Sequence, residues 1–404
     1  MKNDINNKWI SKAIIFLSSQ TISLFGSSIV AYAIIWYITL ETSSGSVMTI
    51  TILCTFLPQI LISIFAGVWA DRHSRKKLII YSDLFISIST LALAAFFMSG
   101  MTSLNLIYLA SIVRSIGSGI QGPAVGAILP QIVPMEKLTR VNGISSTVNS
   151  VMQIIAPAVG GLLLATVGFV YALLFDVVTG VIAVAIMSFL KVDKVAGSVE
   201  TVSAKEDLKS GLRYVRETIL IKYLLIFSAL FFFLVTPAAF LTPLLVERSF
   251  GSDIWRLAAN ELAWTIGALF GGIAVAVKGE IKNRINAMAV SCLGFGITYA
   301  LLGVVPDFYM YLFVMFVSGM FMPVFNTAAT VMIQENVPDQ MLGRVFSIIA
   351  IIISVVMPLG MVMFGPLADV IRIEYMMIAT GLILAVLAVY IFSNKSIMMY
   401  SQNR

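Results

Sequence analysis

The sequence predicts an all-α integral membrane protein with twelve transmembrane helices in two six-helix halves, and three observations predict it. Hydrophobic residues make up 59% of the 404-residue chain and the mean hydropathy is +0.98, more apolar surface than one soluble core can bury. Apolar stretches near the bilayer-crossing length of about 20 residues can be laid end to end. The fourth of these stretches is repeated in the tenth.

Taken in order, the spans of the first half fall at 11–40, 46–69, 77–99, 104–128, 141–168 and 170–191. The first is too long, begins too far in and lacks the small-residue cleavage site of a removable leader. Those of the second half fall at 218–246, 254–277, 285–305, 308–333, 345–368 and 374–393. Between the halves, "KVDKVAGSVETVSAKEDLKSGLRYVRE" (191–217) reads as a long polar linker, so 1–190 and 218–404 are expected as two bundles. The repeat matches "SIGSGIQGPAVGAILPQIVPMEKLTRV" with "VSGMFMPVFNTAATVMIQENVPDQMLGRV". Gly119, Pro123, Pro134, Leu138, Arg140 and Val141 answer to Gly319, Pro323, Pro338, Leu342, Arg344 and Val345. Parallel repeats of this kind belong to rocking transporters, whose binding site lies near the midplane where the repeats meet.

Lys and Arg are retained in cytoplasmic loops, and placing the N-terminus inside puts 22 of the 26 there. Only Arg248, Arg256 and Arg372 fall outside, and Arg114 lies within a span. Both termini are therefore expected in the cytoplasm. The net charge of +6 is topological and makes no case for nucleic acid. Cys54 and Cys292 lack metal-ligand spacing and His73 is the single histidine, so no metal site is expected. No nucleotide-binding loop or nucleophile motif is present. The expected energy source, if any is used, is a gradient, without a cofactor. A monomer is expected, with a partner ATPase left open.

The loop after the second span, "GVWADRHSRKK", is similar to the loop signature G-x-x-x-D-R-x-G-R-[KR] of the major facilitator superfamily. Gly67, Asp71, Arg72, Arg75 and Lys76 match it, and Ser74 stands where a second glycine is usual. Arg114 in "SIVRSIGSG" matches the arginine of the fourth-helix motif, and "APAVGG" (156–161) resembles the antiporter motif of the fifth helix. "LGRVFS", "MPLGM" and "NELAWTIGALFGG" look like the macrolide-efflux subgroup of the drug:proton antiporters. The resemblance covers nearly the whole chain. It implies proton-coupled efflux of lipophilic drug-like compounds, macrolides first, by alternating access in the cytoplasmic membrane, with a proton gradient as the energy source. The alternatives are an exporter of a siderophore or lysolipid, and a non-transporting sensor or scaffold.

Each functional class of residue then has candidates. Asp71 could latch a gate against unpaired N–H groups near Gly343 and Arg344. Pro157, Gly160 and Gly161 on the fifth span and Pro358 on the eleventh suit moving helices. Gly122 and Gly126 suggest a further close-packing face. Charges inside the bilayer are expensive and usually functional, which singles out Glu261, Arg114 and Asp176 for proton coupling. Asp83, nearer the inner interface, is expected to partner the Arg75–Lys77 cluster. The substrate cavity is expected to draw on Gln20, Ser23, Ser27, Gln121, Asn149, Gln153 and Asn326, with Trp36, Phe231, Phe232, Trp264 and Met357 as its apolar wall. Amides, hydroxyls, rings and methionines suit a large amphiphile.

Overall fold

The computed structural model describes residues 2–192, 204–279, 281 and 283–393, with no side-chain description for 2–8 and 204–209. Lys194, Lys282, Lys395 and Arg404, counted above in the charge distribution, lie outside these residues. Among the described residues the helices are α1 (Lys2–Thr42), α2 (Gly45–Arg72), α3 (Arg75–Met98), α4 (Leu104–Ile132), α5 (Met135–Thr166), α6 (Phe169–Ser188), α7 (Ala204–Glu217), α8 (Ile219–Phe240), α9 (Thr242–Phe250), α10 (Ile254–Lys278), α11 (Arg284–Leu302), α12 (Phe308–Asn336), α13 (Asp339–Val370) and α14 (Ile373–Ser393). Eleven of them are long and apolar enough to cross a membrane. The expected span missing from that set is α4, which at 29 residues is long enough but is diluted by Asn105, Arg114 and Gln121.

The chain forms two compact units, residues 1–41 with 50–199, and residues 42–49 with 200–404. The first two turns of α2 thus belong to the second unit.

In the first unit α3 packs on α4 and α6. A core of Phe16, Ile79, Ala124, Ile128, Ile132, Met187 and Leu190 joins these three helices to α1. Ser19 donates to the Ala183 carbonyl at 2.8 Å, tying α1 to α6, and a methyl group at Gly26 would overlap Thr179. Small residues let helix backbones meet where lipid supplies no hydrophobic force between them.

In the second unit α10 packs on α12, and α11 on α12 and α14. The α10–α12 seam is reciprocal. Methyl groups at Gly267 and Gly271 would overlap the Phe316 and Met320 carbonyls, and one at Gly319 would overlap the Trp264 carbonyl.

The internal repeat is visible in the backbone. Pro134 and Pro338 take matching conformations (φ −58°, ψ 145° and φ −57°, ψ 144°) immediately before α5 and α13, which are 32 residues each. Each proline follows an extended valine, as its ring demands, and each carbonyl accepts from the residue three further on, Lys137 at 2.9 Å and Met341 at 2.8 Å. Gly119 and Gly319 also do the same work, since a methyl at Gly119 would overlap Ile62 of α2.

Three expectations are corrected. The seventh span does not run unbroken over 218–246. It ends at Phe240 and restarts as α9, because Pro237 and Pro243 withhold two N–H donors around Leu241. The last part of the linker is no loop: α7 turns Gly211, Tyr214 and Val215, spaced as one helix face, away from solvent, with Gly211 against Ile348 and Arg344 of α13. Its high charge hid that face. Gly122 and Gly126 have open space where a methyl would go, so the close-packed glycines of α4 are Gly117 and Gly119 instead.

Candidate functional site

The first unit buries a two-storey polar ladder. On one storey Asp176 of α6, 2% exposed, forms an ion pair with Arg114 of α4. Thr90 of α3 donates to its Oδ2 at 3.0 Å and Ser27 of α1 to its Oδ1 at 3.2 Å. Arg114 also donates to Thr90 Oγ1. On the other storey Asp83 of α3, also 2% exposed, accepts at Oδ1 from Ser23 of α1 at 2.6 Å and from Gln121 of α4 at 2.8 Å.

Helical spacing builds this arrangement. Ser23 and Ser27 are one turn apart on α1, Asp83 and Thr90 two turns apart on α3, and Arg114 and Gln121 two turns apart on α4. Each helix therefore offers one polar group per storey on a single face. A buried carboxylate is tolerated only where donors or a cation replace its lost water, and that requirement accounts for the clustering.

Arg114 and Asp176, both expected in proton coupling, are thus brought together. Asp83 is corrected: it does not partner the basic cluster. Arg75 instead reaches Asp71 at 3.3 Å and the carbonyls of Ala70 and Ala127 at 3.1 and 2.8 Å, while Lys76 donates to the Ser188 carbonyl at 2.7 Å. Ala70 and Ser188 lie in the last turns of α2 and α6, where cations complement the unpaired oxygens, while Ala127 lies further inside α4. Asp71 is 65% exposed, and Arg72 and His73 are exposed as well. A methyl at Gly67 or Gly343 would meet nothing. Arg344 points one guanidinium nitrogen at the Met341 sulfur, 3.3 Å away.

Glu261 belongs to the second unit. Its Oε1 accepts from Asn260 Nδ2 at 3.4 Å. Asn260 is fully buried, accepts from the Tyr311 hydroxyl at 3.0 Å and donates to Thr242 at 3.4 Å. Arg256, on the same helix, turns to Asp253 at 3.3 Å. Beside this site lies an aromatic core in which Phe231 stacks on Phe325 with ring centres 3.9 Å apart and Phe232 meets Phe325 edge-on.

The expected cavity residues divide accordingly. Ser23, Ser27 and Gln121 are engaged by carboxylates. Trp36 and Phe231 are fully buried and Phe232 nearly so, and their rings serve helix packing. Asn149, Gln153 and Asn326 are exposed, and Gln20, Trp264 and Met357 are half-buried. Pro157, Gly160 and Gly161 are buried within a continuous α5, and Pro358 is half-buried within a continuous α13.

A further charged site in the second unit escaped the sequence reading. Asp369 near the end of α13 accepts from the Gly45 and Ser46 amides at 2.6 and 2.9 Å and from the Ser44 hydroxyl at 3.0 Å. It thereby caps the start of α2, where the first N–H groups have no partner in the helix. Arg248 of α9 donates to Asp369 at 3.4 Å and to the Ser43 and Ala368 carbonyls. Ser43 itself sits at a left-handed φ of 45°, held by its hydroxyl's 2.7 Å bond to Glu247. Asp369→Ala is expected to lower stability by about 1–2 kcal/mol, read as earlier aggregation on heating in detergent. Asp369→Asn should lose less, because its carbonyl oxygen still accepts.

Membrane-length helices in two units are the build of a multi-pass membrane protein, and the family match places it among the transporters of the major facilitator class. The chain belongs to the transmembrane secretion effector family, whose sequence profile matches residues 11–403. It is 30% identical over 389 residues to macrolide efflux protein A of Streptococcus pyogenes, covering 95% of this chain and 96% of that protein. It is 25% identical over 390 residues to the staphyloferrin A transporter of Staphylococcus aureus, covering 95% and 96%. Among solved structures, a bacterial homologue of the iron transporter ferroportin superposes with a TM-score of 0.73 at 16% identity, covering 95% and 99%.

Proposed function

We propose that this protein exports lipophilic drug-like compounds, macrolide antibiotics first among them, by alternating access in exchange for protons. The observation that carries this reading is the end-to-end likeness to macrolide efflux protein A at 30% identity. The absence of nucleotide-binding motifs from the sequence favours a gradient as the energy source. In this reading both termini lie in the cytoplasm and Glu261 takes up a proton from the outer side. A carboxylate with an amide neighbour in an apolar surround suits that role. Siderophore export is the second reading, favoured by the likeness to the staphyloferrin A transporter.

Inverted membrane vesicles containing the protein test the proposal. Radiolabelled erythromycin is expected to accumulate under a proton gradient, to leak back on addition of an uncoupler, and to fail to accumulate with Glu261→Gln although binding persists. Accumulation of a metal-free siderophore without erythromycin would select the second reading. Unimpaired gradient-driven accumulation by Glu261→Gln would remove Glu261 from the proton path.

A further inference from the structure

The ladder of the first unit is electrically uneven. Arg114 neutralises Asp176, and Asp83 has hydrogen-bond donors alone. Its Oδ1 is occupied by Ser23 and Gln121, while its Oδ2 is buried and has no partner. Two other buried polar atoms nearby in the same helices also lack partners: Gln20 Nε2, one turn before Ser23 on α1, and Ser82 Oγ on α3. A carboxylate 2% exposed with one oxygen unsatisfied is a costly arrangement unless that oxygen is filled.

We propose that Asp83 is a proton-binding site, taking one proton on Oδ2 from the ionised state and returning it during the transport cycle. This rests on the proton-exchange reading above and adds a second carboxylate, in the first unit, to Glu261 in the second. The step is a simple protonation: one H⁺ binds and the carboxylate becomes a neutral acid. The side chains around Asp83 favour a proton over a metal ion. Ser23 and Gln121 offer it donors, and no group of three or more His, Cys, Asp or Glu that could hold a metal occurs among the described residues.

The charged groups facing this site from each packed helix are few. Asp176 of α6 is paired with Arg114 of α4. Of the basic residues beginning α3, Arg75 and Lys76 are held by carbonyls and by Asp71. From α1 comes Ser23, which is neutral. Protonation therefore changes the charge of Asp83 against a fixed background.

Two measurements test this on the full chain in lipid. Infrared difference spectra recorded across a pH titration should show a protonated-carboxyl band that is lost in Asp83→Asn and kept, at a shifted midpoint, in Asp83→Glu. An unchanged band in folded Asp83→Asn overturns the proposal. In proteoliposomes, Asp83→Asn should still exchange radiolabelled erythromycin across the membrane and should lose its gradient-driven accumulation, with Asp83→Glu restoring it. Gradient-driven accumulation at the wild-type level in Asp83→Asn likewise overturns the proposal. If the wild type shows the titrating band but no gradient-driven accumulation, the site stands and the exchange reading fails. Should Asp83→Asn not fold, Gln121→Leu serves in its place: it keeps the carboxylate and removes one donor, and an unmoved titration midpoint would contradict the assignment.

Discussion

Arg114→Met is expected to be among the most destabilising single substitutions in the chain, lowering stability by about 3–5 kcal/mol. The substitution leaves Asp176 buried at 2% exposure with two hydroxyl donors, Thr90 and Ser27, and no cation. Most of the loss comes from that stranded charge rather than from the missing attraction, because removing one partner of a buried pair is far worse than removing both. Combining Arg114→Met with Asp176→Asn should therefore recover most of the stability, an outcome visible as the fraction of monodisperse protein surviving heating in detergent. Equal stability of the single and double variants would show that the pair carries no such burden. Transport by the rescued double variant separates the two roles open to Arg114: activity retained makes the pair structural, and activity lost with the fold intact places it in coupling.

Gly271→Val comes next in expected effect. The helices α10 and α12 touch backbone to backbone, and a side chain at Gly271 meets the Met320 carbonyl, which cannot rotate away as a flexible side chain would. Overpacking of this kind costs about 1–3 kcal/mol in ordinary cores. Here Gly267 and Gly319 hold the same seam tight at neighbouring contacts, so a local shift gives little relief. In a bilayer the separated helices also lose their van der Waals contact with no hydrophobic gain to offset it. Gly122→Val and Gly126→Val, at positions with open space, should change stability by less than about 0.5 kcal/mol. Thermal melts of the three variants check the contrast, and a similar loss in all of them would contradict the packing account.

The sequence was legible where one residue type has one physical use. Pro134 with Pro338 and Gly119 with Gly319 were legible as repeated positions, and the structure gives each pair one use, prolines at helix starts and glycines at close contacts. Composition and charge placement exposed the membrane-spanning helices, with α4 partly masked by the polar residues it contributes to the ladder. The ladder itself was half visible. Arg114 and Asp176 stood out as charges inside spans, yet they are 62 residues apart in the chain, and only tertiary contact pairs them. Asp83 was misassigned because the nearest positive charges in sequence, Arg75 to Lys77, lie on its own helix, whereas its real partners come from α1 and α4. The regular spacing of Ser23 and Ser27, Asp83 and Thr90, and Arg114 and Gln121 was the available signal. Asp369 was hidden for another reason: a helix-capping carboxylate acts on backbone amides, and those of Gly45 and Ser46 are 324 and 323 residues away.

The central claim, that export is driven by protons moving the other way, is tested most directly by watching the protons. Inverted vesicles carrying the protein, acidified inside and loaded with a pH-sensitive dye, should release protons promptly when erythromycin is added, and vesicles lacking the protein should not. Erythromycin accumulation unaccompanied by proton release, and insensitive to collapse of the gradient, would contradict the account.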